Sequence, residues 1–339
     1  MKTLLSILVI CMDLSVYAEY TDSSRFYFDK AIEEKNAGRF LVASKFFEKS
    51  IKFDPSLTET YLQQGYTLMA MKKTDQAIIH FVKVHELDPS NKTAINELME
   101  LYFNYRQFPR AIEFAQKCTD CKNSLRILGM SYYQQDDYTG AENYLAKALE
   151  KDASNAELTY TMGRNYLEME EYKKAIPFYI KAVKMDETRG YWMYELGLIY
   201  YNLNDYKNAL TFFEKALANG YNRSNDYIEN VGYASLYTGE YDKGEKLLLE
   251  IWKKRPGNKD IIRDMAEILY QQKQYDRSLA YCQQLMESDM NDGKALYQAG
   301  LCFQKKGQKD RGQQMCDKAI QMDPGLESLR RKKDIMGGR

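Results

Sequence analysis

A small residue returns every 34 positions through the middle of this chain, and that recurrence limits the folds open to it more than any other feature. Gly129, Gly163 and Gly197 stand at this interval, and each is followed by an alanine in a second apolar segment: Ala141, Ala175 and Ala209. The stretch from Leu125 to Asp152 shows the unit in full. Leu125, Leu128, Gly129 and Tyr132 fall at helical spacing, the polar turn DDYTG follows, and Ala141, Leu145 and Ala148 mark a second helix. Two short helices joined by a turn cannot bury an apolar face alone, so such units must stack on copies of themselves. A glycine inside a helix costs about 1 kcal/mol relative to alanine. Its return at a fixed phase therefore needs a packing reason, the close approach of the two helices of one hairpin.

The same pairing of small residues runs along the chain as Ala31/Ala43, Gly65/Ala77, Met99/Ala111, Gly129/Ala141, Gly163/Ala175, Gly197/Ala209, Gly232/Gly244, Ala266/Ser278 and Gly300/Gly312. Nine repeats follow, over 24–57, 58–91, 92–121, 122–155, 156–189, 190–224, 225–258, 259–292 and 293–326. Two spacings break the period. Met99 to Gly129 is 30 residues, so about one helical turn is missing near CTDC, and Gly197 to Gly232 is 35, with the extra residue around Asn219-Gly220-Tyr221-Asn222. No Pro-, Ser- or Gly-rich run interrupts the array.

Other positions carry marks of their own. An aromatic precedes or opens the second helix at Phe40, Phe108, Tyr138, Tyr172, Tyr206, Tyr241 and Tyr275. A large apolar residue follows within it at Phe47, Phe81, Leu145, Tyr179, Phe213 and Leu248, and a proline ends it at Pro55, Pro89, Pro256 and Pro324. Together these marks resemble the tetratricopeptide repeat over essentially all of Ser24 to Leu326. The resemblance implies an all-α solenoid, a right-handed superhelix of about nine helix-turn-helix repeats, whose first helices line a concave groove. The segment 327–339 is expected to form a capping helix and tail, with the basic run Arg330 to Lys333 as its solvated face.

The first eighteen residues read differently. Lys2, the apolar run Leu4 to Met12, and Val16-Tyr17-Ala18 have the anatomy of a signal peptide cut near Ala18. A periplasmic or secreted protein of bacterial type is expected. A lipoprotein modified at Cys11 is the weaker reading, because Ile10 is not small. The run is too short for a permanent anchor, and no other stretch approaches membrane-spanning length. Lys and Arg total 48 against 48 for Asp and Glu, so the basic excess usual in nucleic-acid binders is absent.

Little in the sequence points to catalysis, a cofactor or a metal. His80 and His85 are the only histidines, and five residues of helix turn them about 140° apart, so they do not form a ligand pair. Cys118 and Cys121 are spaced for a local disulfide or a redox pair, but they follow a second helix at the negative end of its dipole. Cys282, Cys302 and Cys316 fall at packing phases. The two glycosylation-like sequons at Asn91 and Asn222 lie at repeat joints, where Asn and Ser serve as caps.

The chain holds 29 tyrosines, and many fall where the family's groove would be. From the first three repeats those phases give Phe28, Tyr66 and Phe103. The middle repeats give Arg126 and Tyr133, then Tyr160 and Arg164, then Tyr191, Tyr194 and Tyr201. The last three give Tyr233 and Tyr237, Arg263 and Tyr270, and Tyr297. Arg126, Arg164 and Arg263 are expected to anchor carboxylates, and Glu97, Glu100, Glu195, Glu229 and Glu267 to meet basic groups. Tyrosine brings a rigid apolar face and a hydroxyl at low entropic cost. The expected function is a non-enzymatic scaffold that binds a protein or peptide partner along this groove. A self-associating structural component of the cell envelope and a redox protein acting through Cys118 and Cys121 are the alternatives.

Overall fold

The computed structural model describes residues 23–328, and every regular element among them is helical. The leader, Cys11, and the tail from 329 onward lie outside the described residues. The helices are α1 (23–36), α2 (Phe40–Phe53), α3 (Thr58–Ala70), α4 (Thr74–Leu87), α5 (Lys92–Asn104), α6 (Phe108–Lys117), α7 (Ser124–Tyr133), α8 (Tyr138–Lys151) and α9 (Ala156–Glu168). They continue as α10 (Tyr172–Met185), α11 (Gly190–Asn202), α12 (Tyr206–Ala218), α13 (Asn225–Tyr237), α14 (Tyr241–Lys254), α15 (Asp260–Gln271), α16 (Tyr275–Ser288), α17 (Gly293–Lys305) and α18 (Lys309–Met322). A 3-10 turn, Pro324–Leu326, follows and buries Leu326 with Tyr297, Cys316 and Ala319. The chain divides into two compact units, Met1–Glu171 and Tyr172–Arg339.

The glycine phase has the packing cause the sequence requires. A Cβ on Gly65 would stand 2.6 Å from the Phe81 ring, and one on Gly129 would stand 2.8 Å from Leu145. In the second unit Gly197 meets Phe213 at 2.6 Å and Gly232 meets Leu248 at 2.7 Å. Each of these four glycines thus receives the large apolar residue of its partner helix, and Phe81, Leu145, Phe213 and Leu248 are fully buried.

Turn chemistry repeats as faithfully. All nine turns from first to second helix place one residue at positive φ: Gly38, Lys72, Arg106, Asp136, Glu170, Asn204, Gly239, Lys273 and Gly307. The N–H of the next residue reaches back to the helix, as Lys73 does to the Leu68 carbonyl at 2.9 Å, which satisfies an orphan acceptor at the helix end. Between hairpins, Asp54, Asp88 and Asp152 each accept from the backbone N–H and hydroxyl of a serine two residues on. Asn91 caps α5 by accepting from the Ala94 N–H at 3.1 Å. The sequence break near CTDC falls on α6 and α7, each of 10 residues, with Cys118 and Cys121 joined by a disulfide in the loop between them.

Within each unit the first helices approach one another. α5 packs beside α7, α13 beside α15 and α15 beside α17, while among the described residues no pair of second helices packs as closely. One side of each unit is therefore lined by first-helix side chains.

Candidate functional site: the first-helix faces

In the first unit this face is a ladder of contacts between successive hairpins. Lys35 on α1 donates to Gln63 Oε1 on α3 at 2.5 Å, and its ammonium lies 5.6 Å from the Tyr66 ring. Tyr66 donates its hydroxyl to Glu97 on α5 at 3.1 Å. Burial and the Glu97 charge push the Tyr66 hydroxyl up to about 12. Burial also raises Glu97 above the usual carboxylate range, partly offset by that hydrogen bond. Glu100 accepts from Asn123 at 2.5 Å and from Arg126 Nη2 at 2.9 Å with both oxygens. The Arg126 guanidinium also lies 5.6 Å from the Phe103 ring, and that of Arg164 lies 5.9 Å from Tyr133.

In the second unit the tyrosines gather in two groups. Tyr221 stacks on Tyr194 with centroids 4.2 Å apart, and Asn230 donates to the Tyr194 hydroxyl at 2.9 Å. Tyr191, 50% exposed, flanks this group. Further along, Tyr206 stacks on Tyr237 at 4.1 Å and meets Tyr201 edge-on at 5.2 Å. Beside them opens a cleft of about 270 Å³ lined by Tyr201, Tyr233, Tyr237, Asp264, Glu267, Ile268 and Gln271. Tyr233 donates its hydroxyl to Asp264 Oδ2 at 3.2 Å. Burial and the nearby acids push the Tyr201 and Tyr233 hydroxyls well above the usual tyrosine value. Toward the C-terminal end, Tyr270 meets Tyr275 at 5.7 Å.

Several expectations are corrected. Phe28 packs on Phe47 in the core of the first hairpin, and Tyr297 lies in the cluster around Leu326, so neither ring is surface. Tyr160, Tyr194 and Tyr233 are also buried, though Tyr194 and Tyr233 still direct their hydroxyls to polar partners on the next first helix. Glu195 is buried and accepts from the Tyr179 hydroxyl at 2.9 Å. The arginines are not open anchors: Arg126 is held by Glu100, Arg164 by Glu168 at 2.9 Å, and Arg263 by Asp292 at 2.7 Å. A ligand carboxylate would have to displace an acid already in place. Tyr206, on a second helix, and Tyr221, in a joint, complete the second face, together with Asp264, which holds on α15 the phase that Glu97 and Glu195 hold on their own first helices.

The opposite side of the first unit carries a depression of about 700 Å³ between α4 and α6, lined among others by Tyr61, Ile79, His80, Arg110 and Phe114. His80 lies 5.9 Å from Tyr61 and His85 5.2 Å from Phe114, and burial draws both below the usual imidazole value. Cys118, Asp120 and Cys121 bring their donor atoms within 4.8 Å of one another. The sulfurs are bonded to each other and Asp120 pairs with Lys92 at 2.5 Å, so this trio has no thiolate to offer a metal. Cys282, Cys302 and Cys316 are buried, and burial pushes the Cys282 thiol up to about 12.

Family models described as tetratricopeptide repeat match residues 58–91, 132–179, 160–222, 236–301 and 293–326. The chain is a tetratricopeptide-repeat protein. A search of curated proteins found no match. Among solved structures, the C-terminal part of a TPR repeat-containing protein from Cytophaga hutchinsonii aligns with TM-score 0.53 at 17% identity, covering 69% of this chain and 98% of that one. YrrB, described as a TPR protein with an unusual peptide-binding site, is 24% identical over 56% of this chain and 97% of its own, with TM-score 0.40. The P58(IPK) TPR domain is 17% identical over 93% of this chain and 99% of its own, with TM-score 0.30. At 17% identity the likeness to the Cytophaga hutchinsonii protein is one of fold. The tetratricopeptide fold is a scaffold for protein–protein interaction, and among the described residues no helix is long and apolar enough to cross a membrane.

Proposed function

We propose that this tetratricopeptide-repeat protein captures an extended segment or helix of a partner protein on its first-helix faces. The observation that carries this reading is the second unit's face, where tyrosine rings, an exposed Tyr191 and a side-chain-sized cleft lie together on successive first helices. Such rings supply contact area at low entropic cost. The first unit's face adds a ladder whose acids and bases are already paired, so it offers shape and hydrogen bonding more than net charge. An exported protein is the location this reading favours. The leader-like first eighteen residues and the Cys118–Cys121 bridge support it, because disulfides persist in oxidising compartments.

The test is selection of binding peptides from a random 12-residue library, followed by affinity measurements on two variants. One carries Glu100→Gln with Arg126→Ala, the other Tyr191→Ala with Tyr237→Ala. Capture on these faces predicts at least a roughly tenfold loss in one variant, equivalent to about 1.4 kcal/mol. Unchanged affinity in both, with unfolding midpoints intact, would sink the proposal.

A further inference from the structure

Several acids of the described residues are held by an arginine. Glu100 holds Arg126, Asp292 holds Arg263, and Glu245 holds Arg277. The cleft between α11, α13 and α15 holds acids without such a partner, the half-buried Glu229 and the more exposed Asp264 and Glu267. Asp264 and Glu267 line it, Glu229 lies within electrostatic reach, and none of the three makes an ion pair among the described residues. Arg263, the adjacent cation, is turned to Asp292 at 2.7 Å.

The same cleft is walled by Tyr201, Tyr233 and Tyr237. Aromatic faces attract a cation through the ring quadrupole, and Arg or Lys packs its aliphatic stem along apolar surface while the charged head reaches an acid. The Tyr233 hydroxyl, donating to Asp264, fixes that carboxylate at the cleft. Burial and neighbouring acids hold Glu229 and Asp264 above the usual carboxylate range, a cost that an arriving cation would reverse. At about 270 Å³ the space is below the roughly 300 Å³ where pockets for drug-sized ligands begin, and suits one side chain.

We propose that this cleft is a cage for one arginine or lysine side chain of the partner segment, whose charge is met by Asp264 and Glu267 between the tyrosine walls. It deepens the scaffold reading and rests on it for the source of the cation. The partner is thereby specified as a chain with a basic residue where it crosses α13 and α15.

The test uses the peptide Ac-Gly-Ser-Arg-Gly-Ser-NH2 and its citrulline counterpart, which keeps the shape and removes the charge. Titrations are followed by the ring resonances of the cleft tyrosines. The arginine peptide is expected to saturate and shift Tyr201, Tyr233 and Tyr237. The citrulline peptide, and the arginine peptide on Asp264→Asn or Glu267→Gln, are expected to bind at least about tenfold more weakly. Glu287→Gln, on the exposed side of α16, should leave binding unchanged. Equal binding of the two peptides, indifference to Asp264→Asn, or no saturation by concentrations on the order of 10 mM overturns the cage. If the cage fails while library peptides still lose affinity on the face variants, the scaffold reading stands. If the arginine peptide binds here but library peptides ignore both faces, the scaffold reading falls and the cage remains.

Discussion

Tyr206 and Tyr237 stack with ring centroids 4.1 Å apart and planes 7° from parallel, linking the first residue of α12 to the last residue of α13 in the next hairpin. Neighbouring repeats in a solenoid are held by such interface contacts, so the pair should couple in stability. A double-mutant cycle of Tyr206→Leu and Tyr237→Leu is expected to give a coupling of about 0.5–1.5 kcal/mol by denaturant unfolding. Strict additivity would show that the stacking contributes nothing between hairpins.

The nine left-handed turn residues offer a paired prediction. Lys72 and Arg106 hold φ near +59° and +58°, a region that costs a residue with a Cβ about 1–2 kcal/mol, whereas Gly307 at +88° pays no such cost. Lys72→Gly and Arg106→Gly should therefore each raise stability, by up to about 1 kcal/mol, and Gly307→Ala should lower it by about 1 kcal/mol. Thermal unfolding of the three variants reads the sign directly.

Gly197 tests the glycine phase. Alanine there would gain about 1 kcal/mol of helix propensity, but its Cβ would stand 2.6 Å from the buried Phe213 ring, and overpacking costs about 1–3 kcal/mol. A net loss of up to about 2 kcal/mol is expected. Gly257→Ala, with nothing within 4 Å, should stay within about 0.5 kcal/mol of the parent. A Gly197→Ala variant that gains the full propensity term of about 1 kcal/mol would remove the packing reason for the repeat's glycine.

The repeat architecture was legible because each hairpin solves its packing locally, with Gly129 against Leu145 or Gly197 against Phe213 in the same hairpin. The face was only partly legible. Arg126 and Arg263 look like open anchors along their own helices, but Glu100 on the preceding hairpin and Asp292 at the joint that caps α17, which neutralise them, lie 26 and 29 residues away. Phe28 and Tyr297 share a helical phase with the half-buried Arg126, Glu229 and Arg263, and whether such a ring is covered depends on the adjoining hairpin or on the chain end, as with Leu326 over Tyr297. Tyr221 enters the face from the extended joint between α12 and α13, a segment with no helical phase to read.

The Arg223–Glu250 pair gives a pH prediction. Hydrogen bonding and the charge of Arg223 lower Glu250 to about 2. A carboxylate whose folded value is depressed contributes stability that is present above its unfolded value, about 4.3, and is lost as pH falls through the folded one. Arg223→Gln should thus lower the melting temperature at pH 7, with the gap to the parent closing between about pH 4 and about pH 2. The pair is largely exposed, so the gap should also shrink at high salt. A gap independent of pH would assign the effect to packing of the arginine stem.

The most direct measurement is to place a photoreactive group on a library-selected peptide, crosslink it to the intact protein, and locate the adducts by mass spectrometry. Capture on the first-helix faces predicts adducts on α3, α5 and α7 or on α11, α13 and α15, including residues beside Tyr201 and Tyr237. Adducts confined to second helices, such as the surface of α4 and α6 around Ile79, would contradict it.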